Sequence, residues 1–131
     1  MTDRDLINLA IEASQNAYAP YSRFAVGAAL ECGDGTVVTG ANVECAALGA
    51  SICAERSALC AAVSKGYRGF RRIAVYSDSP DYCVPCGTCR QLLSEFSPTM
   101  EVLCVKSGGR YVSYRLSDLL PASFGRQFLG R

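Results

Sequence analysis

Two short stretches, Cys53-Ala54-Glu55-Arg56 and Pro85-Cys86-Gly87-Thr88-Cys89-Arg90, set the strongest condition on how this chain can fold. They carry three thiols and one carboxylate, which meet only if the fold places the two segments side by side. Three thiolates suffice to hold a tetrahedral Zn²⁺ and leave its fourth position to water, which distinguishes a catalytic site from a closed structural one. Glu55, close in sequence to the Cys53 thiol, is placed to move protons at such a site.

The rest of the composition supports this reading. The chain has eight cysteines and no histidine, so a transition-metal site must rest on thiolates and carboxylates. No imidazole is available as a general base. Four disulfides would fit a secreted chain, but the charged start Met1-Thr2-Asp3-Arg4-Asp5 leads into no apolar segment. We therefore expect a reducing, cytoplasmic setting and no membrane span. A length of 131 residues, half of them hydrophobic, predicts one domain over 1–131 with a core that needs no staples. A net charge of +1 without a basic run argues against a nucleic-acid partner.

Along the chain, Thr2-Asp3-Arg4-Asp5 reads as a capping box, and Leu6, Leu9, Ala10, Ala13 and Ala17 follow helical spacing up to Pro20. Phe24–Leu30 and Thr36–Val43 read as strands joined across Gly33-Asp34-Gly35. A helix is predicted from Cys53 to Val63, with Ser51 as its cap and Gly66 beyond its end. Arg72–Ser77 is a third strand, and a second ligand-bearing helix runs from Cys86 to Phe96, closed by Pro98. Met100–Lys106 and Tyr111–Arg115 form a strand pair across Gly108-Gly109; Ser117 caps a short turn, and Pro121 begins the tail. The order α-β-β-α-β-α-β-β predicts an α/β fold, a mixed five-stranded sheet in three α/β/α layers.

Both thiol motifs then fall at helix N-termini. Unpaired N–H groups and the positive end of the helix dipole stabilise thiolates there. The charge balance requires this help, because Zn²⁺ with three thiolates is a net anion and a weakened Lewis acid. Arg56 can relieve the excess by donating hydrogen bonds to sulfur from outside the ligand set; Arg90 is a second candidate with less reason to point inward.

The Cys53-Ala54-Glu55 and Pro85-Cys86-Gly87-Thr88-Cys89 pair resembles the signature of the zinc nucleoside and nucleobase deaminases, in its three-cysteine form. With Tyr21 to Leu30, Asn42-Val43-Glu44, Pro85 to Leu92 and Leu119 to Phe124, the chain is similar nearly end to end to the small homotetrameric cytidine deaminases. That resemblance implies hydrolytic deamination of cytidine or deoxycytidine to the uridine and ammonia, in pyrimidine salvage. It assigns one zinc per subunit to Cys53, Cys86 and Cys89, and proton transfer to Glu55. Asn42 and Glu44 would bind the ribose hydroxyls, Phe24 would pack on the pyrimidine, and backbone at Ala54 and at Val84-Pro85 would meet the base edge. Phe124 would reach a neighbouring subunit's site, completing it only in the homotetramer. Asn42 and Glu44, two apart at a strand end, are expected to face one pocket. The chain departs from the family pattern after Glu44, where Cys45, Ala46, Ala47 and Leu48 replace Asn, Ala, a small residue and an aromatic.

Other readings stand beside this one. Cys83, Cys86 and Cys89 spell C-x2-C-x2-C, part of an iron–sulfur run whose fourth cysteine and proline are replaced by Leu93 and Ser94. Cys83 as a fourth thiolate would close a structural zinc site in a non-catalytic metal-binding module. A deaminase of a modified cytosine nucleoside such as blasticidin S shares the reaction class, and the Asn42/Glu44 pair favours cytidine over it.

Overall fold

The computed structural model describes residues 1–130. Its first helix begins with the capping box at Thr2: the Thr2 hydroxyl accepts the Asp5 N–H at 3.1 Å, and the Asp5 carboxylate accepts the Thr2 N–H at 3.0 Å. This helix, α1 (Asp3–Ser14), buries Leu6, Ile7, Ala10 and Ala13 and ends before Ala17, short of the predicted run. The hairpin follows as β1 (Val26–Cys32) and β2 (Val37–Ala41). Asp34 turns it by accepting the Thr36 N–H at 2.9 Å, with Gly35 at φ 90°, a conformation that favours glycine. Phe24 and Ala25 lie outside β1, contrary to the sequence reading. The Phe24 carbonyl and the Val26 N–H bond to the Asn42 side chain instead of a neighbouring strand.

The remaining elements are α2 (Ala54–Ser64), β3 (Phe70–Ser77), α3 (Gly87–Phe96), β4 (Glu101–Val105), β5 (Tyr111–Arg115) and α4 (Leu116–Leu119). Ser51 does not cap α2; Cys53 holds that position, and the Ser51 hydroxyl accepts the Cys45 N–H. Ser117 lies inside α4, whose cap residue is Arg115.

The strands are ordered β2-β1-β3-β4-β5. All pairs are antiparallel except β3 and β4, which α3 connects by a crossover. Alternating side chains separate the two cores. Ala29, Ala74, Leu103 and Val105 meet α1 on one face. Ala28, Leu30, Ile73, Val75, Val102 and Cys104 meet α2, α3 and α4 on the other. This is the expected three-layer α/β/α arrangement with a mixed five-stranded sheet.

Two strand glycines set how close the helices come. A Cβ on Gly27 would stand 2.0 Å from the Ala10 carbonyl oxygen in α1. One on Gly40 would stand 2.5 Å from the Ala58 nitrogen and 2.7 Å from the Ala54 oxygen in α2. Glycine therefore lets α2 lie directly on β2, which fixes the height of its N-terminus above the sheet.

Candidate active site

At both helix starts on the α2 face, the position that Ser, Thr, Asp or Asn normally fills is a cysteine. Cys53 precedes α2 and Cys86 precedes α3, and neither makes a side-chain capping bond to its own helix. Cys89 follows within the first turn of α3 and is fully buried. The two helices pack on the same sheet face, so their N-termini converge and bring the three predicted thiols together.

The Sγ atoms of Cys53 and Cys86 are 3.8 Å apart, those of Cys86 and Cys89 3.4 Å, and all three lie within 4.8 Å of one another. A tetrahedral ion with Zn–S bonds of about 2.3 Å sets its sulfurs about 3.8 Å apart, so the spacing fits zinc. A disulfide requires about 2.05 Å, and all eight cysteines are free thiols. Arg56 supplies the external charge: its Nη2 lies 3.7 Å from the Cys53 sulfur and 3.4 Å from the Ser51 carbonyl oxygen. Its buried Nε makes no hydrogen bond, leaving a donor in hand beside an electron-rich site. Arg90 faces elsewhere, donating to the Pro85 carbonyl at 2.7 Å and the Leu119 carbonyl at 2.8 Å. It braces the backbone of the thiol loop and leaves the sulfurs to Arg56.

The pKa shifts follow from burial. Glu55 is 4% exposed, and desolvation pushes its carboxyl up, against its own backbone N–H, a hydrogen bond with Cys89 and the Arg56 charge. Burial also pushes Cys89 up, with the Glu55 charge adding to it. At Cys86 burial is outweighed by the Cys89 N–H and by the thiols of Cys89 and Cys53, and the net shift is downward. Cys83 is pushed up to about 12 by burial and stays outside the three-sulfur group. Among the described residues no fourth thiolate joins the group, so neither an iron–sulfur set nor a closed four-thiolate site is formed.

Cys53 and Cys86 open on a cavity of about 180 Å³ lined also by Phe24, Val26, Asn42, Ala54, Glu55, Cys83 and Val84, with Cys89 buried behind them. A wider groove of about 820 Å³ runs past Arg56, Gly87, Gln91 and Glu95, but Cys53, Cys86 and Glu55 face the smaller one, and chemistry decides between them. Phe24, Asn42 and Ala54 therefore line the same cavity as Glu55. Glu44 does not join them as expected. Its carboxylate turns to the loop before β1, accepting the Tyr21 and Ser22 N–H groups at 3.0 Å each and the Ser22 hydroxyl. Asn42, at the end of β2, instead faces β1, with its oxygen 2.9 Å from the Val26 nitrogen and its nitrogen 2.8 Å from the Phe24 oxygen. Phe124 lies in the C-terminal tail, stacked on Phe128 with centroids 5.2 Å apart and exposed; it does not line this cavity. Cys83, read from the sequence as a possible fourth thiolate, lines the cavity without joining the sulfur group, and Ser22, which the sequence did not single out, bonds to Glu44 and Phe24.

A family model for the cytidine and deoxycytidylate deaminase zinc-binding region matches residues 1–106. The cytidine deaminase of Halalkalibacterium halodurans is 46% identical over 120 residues, covering 91% of this chain and 91% of that protein. A crystal structure of cytidine deaminase from Burkholderia pseudomallei superposes with a TM-score of 0.92 at 46% identity, over 95% of this chain and all of the other. A blasticidin-S deaminase of Bacillus cereus is more distant, at 30% identity over 132 residues, covering 95% of this chain and 93% of that protein. Agreement in sequence and fold over nearly the full length places this chain in the family of zinc-binding cytidine deaminases.

Proposed function

We propose that the protein hydrolyses cytidine and deoxycytidine to uridine and deoxyuridine with release of ammonia, in nucleoside salvage. The observation that carries this reading is the buried Glu55 carboxyl, which lines one cavity with Cys53 and Cys86, two of the three thiols spaced for zinc. Cys53, Cys86 and Cys89 would hold one Zn²⁺ per chain. When bound, zinc supplies Lewis acidity that makes water a nucleophile at neutral pH.

The chain's own residues do the rest. Glu55 takes the proton that the attacking water gives up and delivers it to the pyrimidine N3 as the new bond forms at C4. It then carries the second proton to the exocyclic amino group, which leaves as ammonia. A carboxyl whose pKa burial shifts upward suits both transfers, because it holds an accepted proton better than an exposed carboxylate and can still return it. Phe24 packs against the base. Ala54 opens α2, and its backbone N–H, unpaired within the helix, meets the base edge. Asn42 and Glu44 bind the sugar hydroxyls: Asn42 keeps one amide hydrogen and one lone pair beyond its two backbone bonds, and Glu44, outside the cavity lining and turned to the loop, keeps one acceptor site beyond its three bonds there.

The oligomer belongs to the same reading. Phe124, exposed and outside its own chain's cavity, completes the site of a neighbouring subunit in a homotetramer. Exposed Tyr18, Val43 and Ile52, joined by single β-bridges, extend an apolar surface beside the cavity that such an assembly would cover. No described helix is long and apolar enough to cross a membrane. The protein acts in the cytoplasm as one domain, without a nucleic-acid partner.

The test is loss of cytidine's ultraviolet absorbance with zinc-loaded protein, wild type beside Glu55→Gln. Wild-type turnover and a fall of about 10²–10⁴-fold in the variant, with zinc retained, are expected. Turnover of neither cytidine nor deoxycytidine by the wild type overturns the reading. Equal turnover by the two proteins removes Glu55 from the mechanism.

A further inference from the structure

The loop between α1 and β1 carries Phe24 into the cavity although little packing holds it there. Phe24 is 46% exposed, and Tyr18 and Tyr21 on the same loop are each 56% exposed. Backbone bonds pair Tyr18 with Asn42 and Glu44 and Arg23 with Ala19, and side-chain bonds hold the rest of the loop, two of them meeting at one hydroxyl. Ser22 Oγ donates to the Glu44 carboxylate and accepts the Phe24 N–H at 3.0 Å. The other Glu44 oxygen takes the Tyr21 and Ser22 N–H groups, and the Phe24 carbonyl accepts from the Asn42 amide at 2.8 Å. Both backbone polar groups of Phe24 are thereby fixed, one through Ser22 and one through Asn42. Arg23, between the two anchored residues, is held at φ 58°, a left-handed conformation that an arginine seldom adopts without such constraint.

We infer that Ser22 is a positioning residue for the nucleoside site: its hydroxyl links the Glu44 carboxylate to the Phe24 backbone and sets the aromatic wall of the cavity before substrate arrives. This rests on the deaminase reading and deepens it. An exposed aromatic on an irregular loop otherwise loses conformational freedom when substrate binds, and that loss weakens binding. The link also couples the sugar end of the site to the base end, because Glu44 and Phe24 share Ser22. Neither the thiols nor Glu55 touches this loop by any hydrogen bond described, so the effect falls on binding and leaves the chemical step intact.

The experiment compares wild type, Ser22→Ala and Ser22→Thr, each loaded with zinc, by steady-state kinetics on cytidine and by amide hydrogen exchange at Phe24. The hydroxyl's bond is to a charged acceptor, and its loss is expected to raise KM about tenfold while kcat stays within about twofold. The Phe24 amide of Ser22→Ala exchanges about tenfold faster, and Ser22→Thr, which keeps the hydroxyl, returns both quantities toward wild type. Ser22→Ala with wild-type KM, or with a fall confined to kcat, overturns the inference. So does failure of Ser22→Thr to recover either quantity while it remains folded by circular dichroism. If wild type turns over no cytosine nucleoside, the deaminase reading fails by itself. The exchange data then decide: unchanged Phe24 exchange in Ser22→Ala overturns the link, and faster exchange reversed by threonine upholds it.

Discussion

Replacing Gly40 with alanine tests how the sheet positions α2, the helix that carries Glu55. The added Cβ would stand 2.5 Å from the Ala58 nitrogen, whereas ordinary contact begins at 3.4 Å, so α2 must retreat about 0.9 Å from β2. The obstacles are backbone atoms of Ala54 and Ala58, which cannot rotate away as a flexible side chain would. Overpacking of this kind costs about 1–3 kcal/mol. For a chain of this size that lowers the thermal midpoint by roughly 3–5 °C per kcal/mol. The same displacement moves Cys53, Ala54 and Glu55, which open α2, relative to Cys86 and Cys89 on α3. A shift near 1 Å at reacting groups costs about 10²-fold in rate. Calorimetry, zinc content and kcat/KM on cytidine would be measured for Gly40→Ala beside two controls. Gly69→Ala meets nothing within 4 Å and is expected to be silent. Gly27→Ala strikes the Ala10 carbonyl and destabilises the fold, but α1 bears no site residue, so its folded fraction keeps its kcat. A Gly40→Ala protein as stable and active as Gly69→Ala would refute the argument that this glycine sets the height of α2.

Two further outcomes follow from the charged groups. Arg56→Gln removes the cation beside the Cys53 sulfur, and a chelator competition should show zinc held about 10–100-fold less tightly, with the thermal midpoint of the metal-free protein little changed. The buried Glu31 carboxylate accepts from Arg72 at 2.7 Å, and that hydrogen bond holds its pKa below the usual value against desolvation. Because the folded pKa is depressed, the stabilisation is fully present above the unfolded value near 4.5 and is lost as pH falls through the folded value. Glu31→Gln should therefore be less stable than wild type by about 2 kcal/mol at pH 7 in denaturant unfolding, with the gap closing as pH falls below the unfolded value of 4.5.

Much of the fold was legible because local chemistry and tertiary structure agree. Thr2 and Asp5 form a capping box that needs no distant partner. The apolar run to Leu30 read as a strand, and the structure puts its Ala28 and Ala29 on opposite faces of the sheet. The thiol group was legible for a different reason. Two short motifs supply three thiols and a carboxyl in a chain without histidine, a set that residue type and spacing alone mark as a metal site. Ser51 misled because a serine near a helix start normally caps it, and here its hydroxyl is taken by Cys45 across the preceding loop.

The sequence by itself determined the elements, the three thiols and the carboxyl beside them, since each depends on residue type and short spacing. Tertiary structure decided what depends on separate segments meeting. Antiparallel or parallel pairing at β3 and β4 follows from the α3 crossover and the register of strands distant in the chain. Cys83 stands outside the sulfur group although its spacing to Cys86 equals that of Cys86 to Cys89, because Cys86 and Cys89 share the start of a helix and Cys83 precedes it. Glu44 turns to the Tyr21 and Ser22 amides because two oriented N–H groups and a hydroxyl there attract its carboxylate, and nothing in Asn42-Val43-Glu44 encodes where that loop will lie.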